Sequence, residues 1–204
     1  MTVTDIVPKR KRLSALYIDG EFAVKVDTET ILASPVSVGS EITDEQLREL
    51  IESSDRKRAK EKALWLLSSR DHSSRELEEK IRRTHNADSA HRAVERMEEL
   101  GLVDDEKFAR RYADELINVK HLSAKAARYK LTAKGIDRDL ADEILEELDP
   151  DPREHIQALI ETKYLRSLSD EKGRRRTVAA LQRLGYSWGD ISAVLSEYEE
   201  NYEV

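Results

Sequence analysis

The sequence predicts a mainly α-helical chain: a tandem array of three three-helix repeats, elongated, with a small N-terminal β-hairpin segment. Three observations support that expectation. Glycine and proline are scarce, at seven and four in 204 residues, so helices joined by short turns are favoured over a β-rich fold. Charged residues make up 38% and aromatics only 5%, which suits several thin helical packings better than one thick core. An internal repeat of about 50 residues runs through the chain from the first helical unit onward.

Residues 1–12 are polar and end in Lys9-Arg10-Lys11-Arg12, which reads as a solvated, disordered tail. Two strand-like runs follow, at 13–18 and 21–26, separated by Asp19-Gly20. Asp-Gly between apolar runs is a strong hairpin signal, because a type I′ turn needs positive φ at both central residues. A short run at 30–32 is expected to add an edge strand. A segment this small is unstable alone and should pack on something helical. At Thr43 the period changes. Thr43-Asp44-Glu45-Gln46 has capping-box spacing, and Leu47, Leu50 and Ile51 follow at helical spacing. The expected division is 1–40 for the tail and hairpin, 41–54 for a connecting helix, and then repeats at 55–103, 104–149 and 150–204.

The repeat is visible without gaps. Leu131-Thr132-Ala133-Lys134-Gly135-Ile136 lies over Leu181-Gln182-Arg183-Leu184-Gly185-Tyr186. Beyond the glycine, Ala141, Ile144, Leu145 and Leu148 fall on Ile191, Val194, Leu195 and Tyr198; one step back, Ile81 falls on Leu131 and Ser73 on Ser123. The units read as helices 57–69, 74–83 and 89–100, then 105–119, 123–134 and 138–148, then 153–165, 170–184 and 188–198. Ser73 with Glu76, and Ser187 with Asp190, are cap-like pairs. Gly135 and Gly185 sit where a helix should stop in a left-handed residue. Asp104 suits a cap, and Pro152, after the break at Pro150-Asp151, suits a first helical turn.

Chemistry is sparse. There is no cysteine, so disulfides and thiolate metal sites are excluded and a reducing compartment fits. No run has signal-peptide character or approaches the roughly 20 apolar residues of a membrane span. A cytoplasmic monomer without a membrane partner is expected. No glycine-rich phosphate loop is present. The five histidines, His72, His85, His91, His121 and His155, show no metal-ligand spacing. Ser73 and Ser74 beside His72 read as capping residues, not nucleophiles. The carboxylates read as solvated helix faces paired with cations, as in Glu78 and Arg82. No catalytic residue, metal or cofactor is assigned.

The net charge is -7, whereas a simple DNA-coating protein is usually basic. The positive charge nevertheless gathers on two equivalent middle helices. In 123–134 the core side is Ala124, Ala127 and Leu131. At about 100° per residue, Lys125 and Tyr129 point away, with Arg128 and Lys130 flanking and Lys134 at the end. In 170–184 the core side is Val178, Leu181 and Leu184. Lys172, Arg176 and Arg183 project opposite, with Arg174 and Arg175 nearby. Such a stripe fits phosphates or an acidic protein surface.

Several blocks resemble one family. Ala63-Leu64-Trp65-Leu66-Leu67-Ser68-Ser69-Arg70 followed by Ser73-Ser74-Arg75-Glu76-Leu77 looks like the opening RecX signature. Gly101-Leu102-Val103-Asp104-Asp105-Glu106-Lys107-Phe108-Ala109 resembles its Asp-Asp-x-x-Phe-Ala block. Leu131-x-x-Lys134-Gly135-Ile136 and Leu184-Gly185-Tyr186 are similar to its later blocks. Two departures affect turns: Lys120-His121-Leu122 stands where many members carry a glycine, and His85 replaces another. The resemblance covers roughly residues 43–200. It implies a non-enzymatic regulator that binds the RecA filament on DNA and lowers strand exchange, ATP hydrolysis and repressor self-cleavage. Direct DNA binding through helix-turn-helix-like modules is the alternative, and a structural adaptor is a second one.

Overall fold

Three strands within the first 27 residues form an antiparallel sheet, and the described elements after it are helices joined by short turns. The computed structural model describes residues 1–148 and 151–202; Asp149 and Pro150, at the expected break between repeats, and the C-terminal Glu203 and Val204 lie outside. The described chain separates into two compact units, Met1–Asp104 and Asp105–Val204.

In the first unit, strands β1 (Val3–Lys9), β2 (Leu13–Ile18) and β3 (Glu21–Asp27) lie in the order β1-β2-β3. The Asp19-Gly20 turn adopts the expected left-handed pair, with φ of 50° and 87°. β1 corrects the expectation of a disordered tail. Val3 is fully buried with Leu16, Val26, Ile31, Ile42 and Leu50, so the N-terminus contributes to a core. Pro8 is tolerated because β1 is an edge strand. The run at 30–32 is not a strand either. It completes the short helix α1 (Thr28–Leu32), capped by the Asp27 carboxylate, which accepts from the Thr30 amide at 3.0 Å.

Helix α2 (Asp44–Leu67) starts at the expected capping box of Thr43 and Gln46. It runs unbroken for 24 residues, where the sequence suggested a separate connecting helix at 41–54. No glycine or proline interrupts it. Its first half packs on the sheet through Leu47 and Leu50. A polar junction fastens the two. The Asp27 amide donates to Ser54 Oγ at 2.7 Å, and Lys57 Nζ donates to Asp27 at 2.6 Å and Glu29 at 2.5 Å. Burial alone would raise the Asp27 carboxyl, but hydrogen bonds from Lys57 and Thr30 hold it below the usual carboxylate range.

The second half of α2 joins α3 (Ser74–Ile81) and α4 (Ala87–Glu99) around Ala59, Ala63, Leu77, Ile81, Ala90, Ala93 and Met97. Alanines let the helices approach closely, which is how a chain poor in aromatics closes a core. Ser73 Oγ accepts from the Glu76 amide at 3.2 Å as a cap, and Ser74 Oγ donates to Glu98 at 2.5 Å. Both serines are thus held in structural bonds. Burial keeps the His72 imidazole below its ordinary pKa, although Glu76 opposes this.

In the second unit, α5 (Asp105–Asp114) continues through a wider π turn at Glu115–Val119. α6 (Ala124–Ala133) and α7 (Arg138–Leu148) close the core around Phe108, Leu116, Ile117, Leu131, Ile144 and Leu145. Next come α8 (Pro152–Leu159), a second π turn at Ile160–Tyr164, a tight turn at Leu165–Ser169, α9 (Glu171–Arg183) and α10 (Trp188–Tyr202). Their core holds Ile156, Leu159, Ile160, Leu181, Tyr186, Ile191 and Val194.

The repeat is clearest at the helix ends. α6 ends at Gly135 with φ 88°, the Ile136 amide donating to the Leu131 carbonyl and the Gly135 amide to that of Thr132. α9 ends identically at Gly185, with Tyr186 to Leu181 and Gly185 to Gln182. Before α6, His121 occupies the left-handed region at φ 54°, in the segment where the sequence lacks the family's glycine. The Tyr186 hydroxyl donates to its carbonyl at 3.1 Å. Burial pushes the Tyr186 phenol up to about 12.

Leu131 and Leu181 are both fully buried. Replacing either by Ala should destabilise the chain by about 2–5 kcal/mol in urea unfolding; losses under about 0.5 kcal/mol at both would contradict the repeat core. His121→Gly should instead stabilise it by about 1 kcal/mol, since only glycine takes positive φ without steric cost. A lower unfolding midpoint in that variant would show that the imidazole contributes more than its backbone strain removes.

Candidate functional site

The two middle helices of the second unit carry the candidate residues, and local chemistry fixes both. Ser123 Oγ accepts from the Ala126 amide at 3.2 Å and starts α6. The Asp170 carboxylate accepts from the Gly173 amide at 2.6 Å and starts α9. Gly173 is required by space, since a Cβ there would lie 1.9 Å from the Ser167 carbonyl oxygen. Gly185 is required twice over. Its φ is 95°, and a Cβ would lie 2.5 Å from Ser123 Oγ and 2.7 Å from the Ala126 Cβ. The Ser123 amide donates to the Leu184 carbonyl at 2.9 Å. The end of α9 therefore abuts the start of α6.

On α6, Ala127 and Leu131 are buried, while Ala124, expected in the core, is half-buried. Lys125, Tyr129 and Lys130 are exposed, Tyr129 at 76%. Arg128 is half-buried and paired with Asp142 of α7, which also has Arg138 at 3.9 Å. Lys134 is half-buried at the helix end.

On α9 the buried stripe is Gly173, Thr177 and Leu181, and Val178 and Leu184 are half-buried. The helix is thus turned slightly from the expected phase, but its outer face is the expected one. Lys172, Arg176 and Arg183 are exposed at helical spacing. Arg175 pairs with Glu171 on the same helix, and Arg174 Nε donates to the Leu168 carbonyl at 3.0 Å. Among the described residues, Lys125, Lys130, Lys172, Arg176 and Arg183 have no ion-pair partner. The ten candidates thus separate into outward cations with Tyr129, and cations engaged within the fold.

Of two further surface features, one was not marked from the sequence and one was read there as part of a disordered tail. Trp65 of α2 is 64% exposed, with Lys62 Nζ 4.0 Å from its ring centre; the i, i+3 spacing of Lys and Trp was the available signal. The four cations at 9–12 sit on a tight turn and not in a tail. No group of three or more histidine, aspartate or glutamate side chains among the described residues could hold a metal ion. No described helix is long and apolar enough to cross a membrane.

Comparison with known proteins agrees with this architecture. Residues 59–97 match the RecX first three-helix domain, and residues 104–145 match the RecX second three-helix domain. The regulatory protein RecX of Clostridium acetobutylicum is 28% identical over 211 residues, covering 98% of each chain. That of Chlorobium phaeobacteroides is 30% identical over 144 residues, covering 70% of this chain and 95% of the relative. A crystal structure of regulatory protein RecX superposes with a TM-score of 0.62 at 19% identity, covering 96% of this chain and 98% of that one. RecX from Lactobacillus salivarius gives 0.59 at 23% identity, covering 72% and 98%. Matching domains in order, relatives aligned over nearly their whole length and a shared fold place this chain in the RecX family of regulatory proteins.

Proposed function

We propose that this chain is a cytoplasmic, monomeric, non-catalytic regulator that binds the RecA filament on DNA and lowers RecA's recombinase, ATPase and coprotease activities in DNA repair and the SOS response. The observation behind the reading is the outward face of α9. Lys172, Arg176 and Arg183 stand exposed without ion-pair partners among the described residues, in a chain of net charge -7. Several other cations are matched on their own helix, as in Arg75–Glu79, Arg92–Asp88 and Arg110–Glu106. A cation left unmatched beside abundant carboxylates suits an anionic partner.

Family membership supports RecA as the partner, since the relatives carry the name regulatory protein RecX. The chemistry asked of the protein is binding alone. Lysine and arginine at a polyanion displace counterions, so affinity falls steeply with salt. Tyr129, exposed between Lys125 and Lys130, adds a flat apolar surface at low entropic cost. The three-helix units expected at 55–103, 104–149 and 150–204 would act as the contacting modules. Regulation follows if a bound chain hinders the rearrangements that RecA's activities need.

Reversing Lys172, Arg176 and Arg183 together to Glu should leave folding intact, because none is buried. Binding to RecA–DNA filaments should weaken at least about tenfold, with a flatter salt dependence. The variant should fail to slow RecA-dependent ATP hydrolysis at concentrations where the parent does. Inhibition equal to the parent's, with an unchanged salt slope, would reduce this face to a solvated surface. Gel shifts without RecA, run beside these, separate filament binding from direct DNA binding.

A further inference from the structure

The turn that joins β1 to β2 is built against its own backbone preference. Lys9 pairs with Leu13 across it, and residues 10–12 make the loop. Lys11 and Arg12 both take positive φ, at 63° and 56°. That region favours glycine, asparagine and aspartate, and crowds the Cβ of longer side chains. The other turn of the same sheet needs the same backbone and meets it with Asp19-Gly20, at φ 50° and 87°. One sheet therefore has two left-handed turns, one made of the residues that suit it and one made of Lys and Arg. Strain retained at a surface turn points to side chains kept for what they contact.

Those side chains form an unusual patch. Lys9, Arg10, Lys11 and Arg12 are all exposed. The nearest acid to Arg12 is Glu29, at 4.0 Å, and Glu29 already accepts from Lys57 at 2.5 Å. Lys9, Arg10 and Lys11 have no ion-pair partner among the described residues. The tip is also held in place. The Arg12 carbonyl accepts from the Thr28 amide at 2.9 Å, beside the buried Asp27 that Ser54 and Lys57 tie to α2. Four consecutive cations are thus presented on a fixed support, so little ordering is lost when they bind.

We propose that this tip, residues 9–12, is a nucleic-acid contact that engages the phosphate backbone of DNA directly, without RecA. DNA is favoured over an acidic protein surface because the turn carries no aromatic or aliphatic side chain to anchor a protein interface, where such anchors supply most of the affinity. A row of phosphates needs none; closely spaced cations suffice. The contact goes beyond the filament reading. It lies in the unit Met1–Asp104, whereas the α6 and α9 faces lie in Asp105–Val204.

The test uses the full chain, a fluorescent DNA duplex and a potassium chloride series, with no RecA present. The double variant Lys11→Asn with Arg12→Gly gives the turn its preferred residues and removes two cations. Its thermal midpoint should rise, its affinity for the duplex should fall about tenfold, and its slope of log K against log salt should flatten by about two. A second double variant, Lys9→Gln with Arg10→Gln, keeps the strained pair. It should lose affinity to a similar extent without gaining stability. The α9 cations are unchanged in both, so these losses are read independently of filament binding. Parent-like affinity and slope in both variants would overturn the proposal. So would a parent that shows no salt-dependent binding to the duplex. Weakened binding of the variants to DNA-free RecA, with duplex binding unaltered, would overturn it in favour of a protein surface.

Discussion

A helix of ten to thirteen residues, the length of α6 and α9, can bury only one narrow stripe of side chains, and that constraint organises the second unit. Each middle helix commits a single leucine, Leu131 or Leu181, to full burial and surrounds it with small residues: Ala127 in one, Gly173 and Thr177 in the other. The carbonyl of that leucine then accepts the bond that closes the helix at Gly135 or Gly185. Core and helix end are fixed by the same residue. The remaining faces are free of packing duty, so they can carry charge without loss of stability. Outward Lys172, Arg176 and Arg183 are possible because the inward stripe is so thin.

Much of this was legible in the sequence because the signals were local. Asp19-Gly20 names its turn type, Thr43 with Gln46 names a helix start, and glycine after a periodic run names a helix end. The structure bears out each. The features that escaped depend on distant partners. Residues 3–9 look like a polar tail, yet Val3 is buried by Leu16, Val26 and Leu50, none of them near in sequence. Residues 30–32 have strand-like composition, but the Asp27 cap and the Lys57 ammonium from α2 favour a helical turn. The continuity of α2 was hidden because two cores, one with the sheet and one with α3 and α4, use different halves of it.

The candidate face shows the same division. Helical geometry alone identified Lys125, Tyr129, Lys172, Arg176 and Arg183 as outward, and they are exposed. It could not foresee that Arg128 reaches Asp142 on the next helix, or that Arg174 turns back to the Leu168 carbonyl. Those bonds cross between elements whose relative placement no spacing rule provides. The backbone at Lys11-Arg12 is likewise invisible to pattern reading, and at His121 the one signal was the glycine that similar chains carry in that segment. A left-handed residue is recognised from sequence by glycine or asparagine, and neither is present there.

The most direct test of the central claim, that the outer face of α9 lies against the RecA–DNA filament, is site-specific photocrosslinking from Ala179. This exposed residue lies on the same face, three residues after Arg176 and four before Arg183. A photoreactive side chain there adds no charge and removes none. Crosslinks from position 179 to RecA or DNA in assembled filaments, diminished by high salt and absent from a probe at exposed Glu95 on α4, are the predicted result. Efficient crosslinking from position 95 with none from position 179 would contradict it.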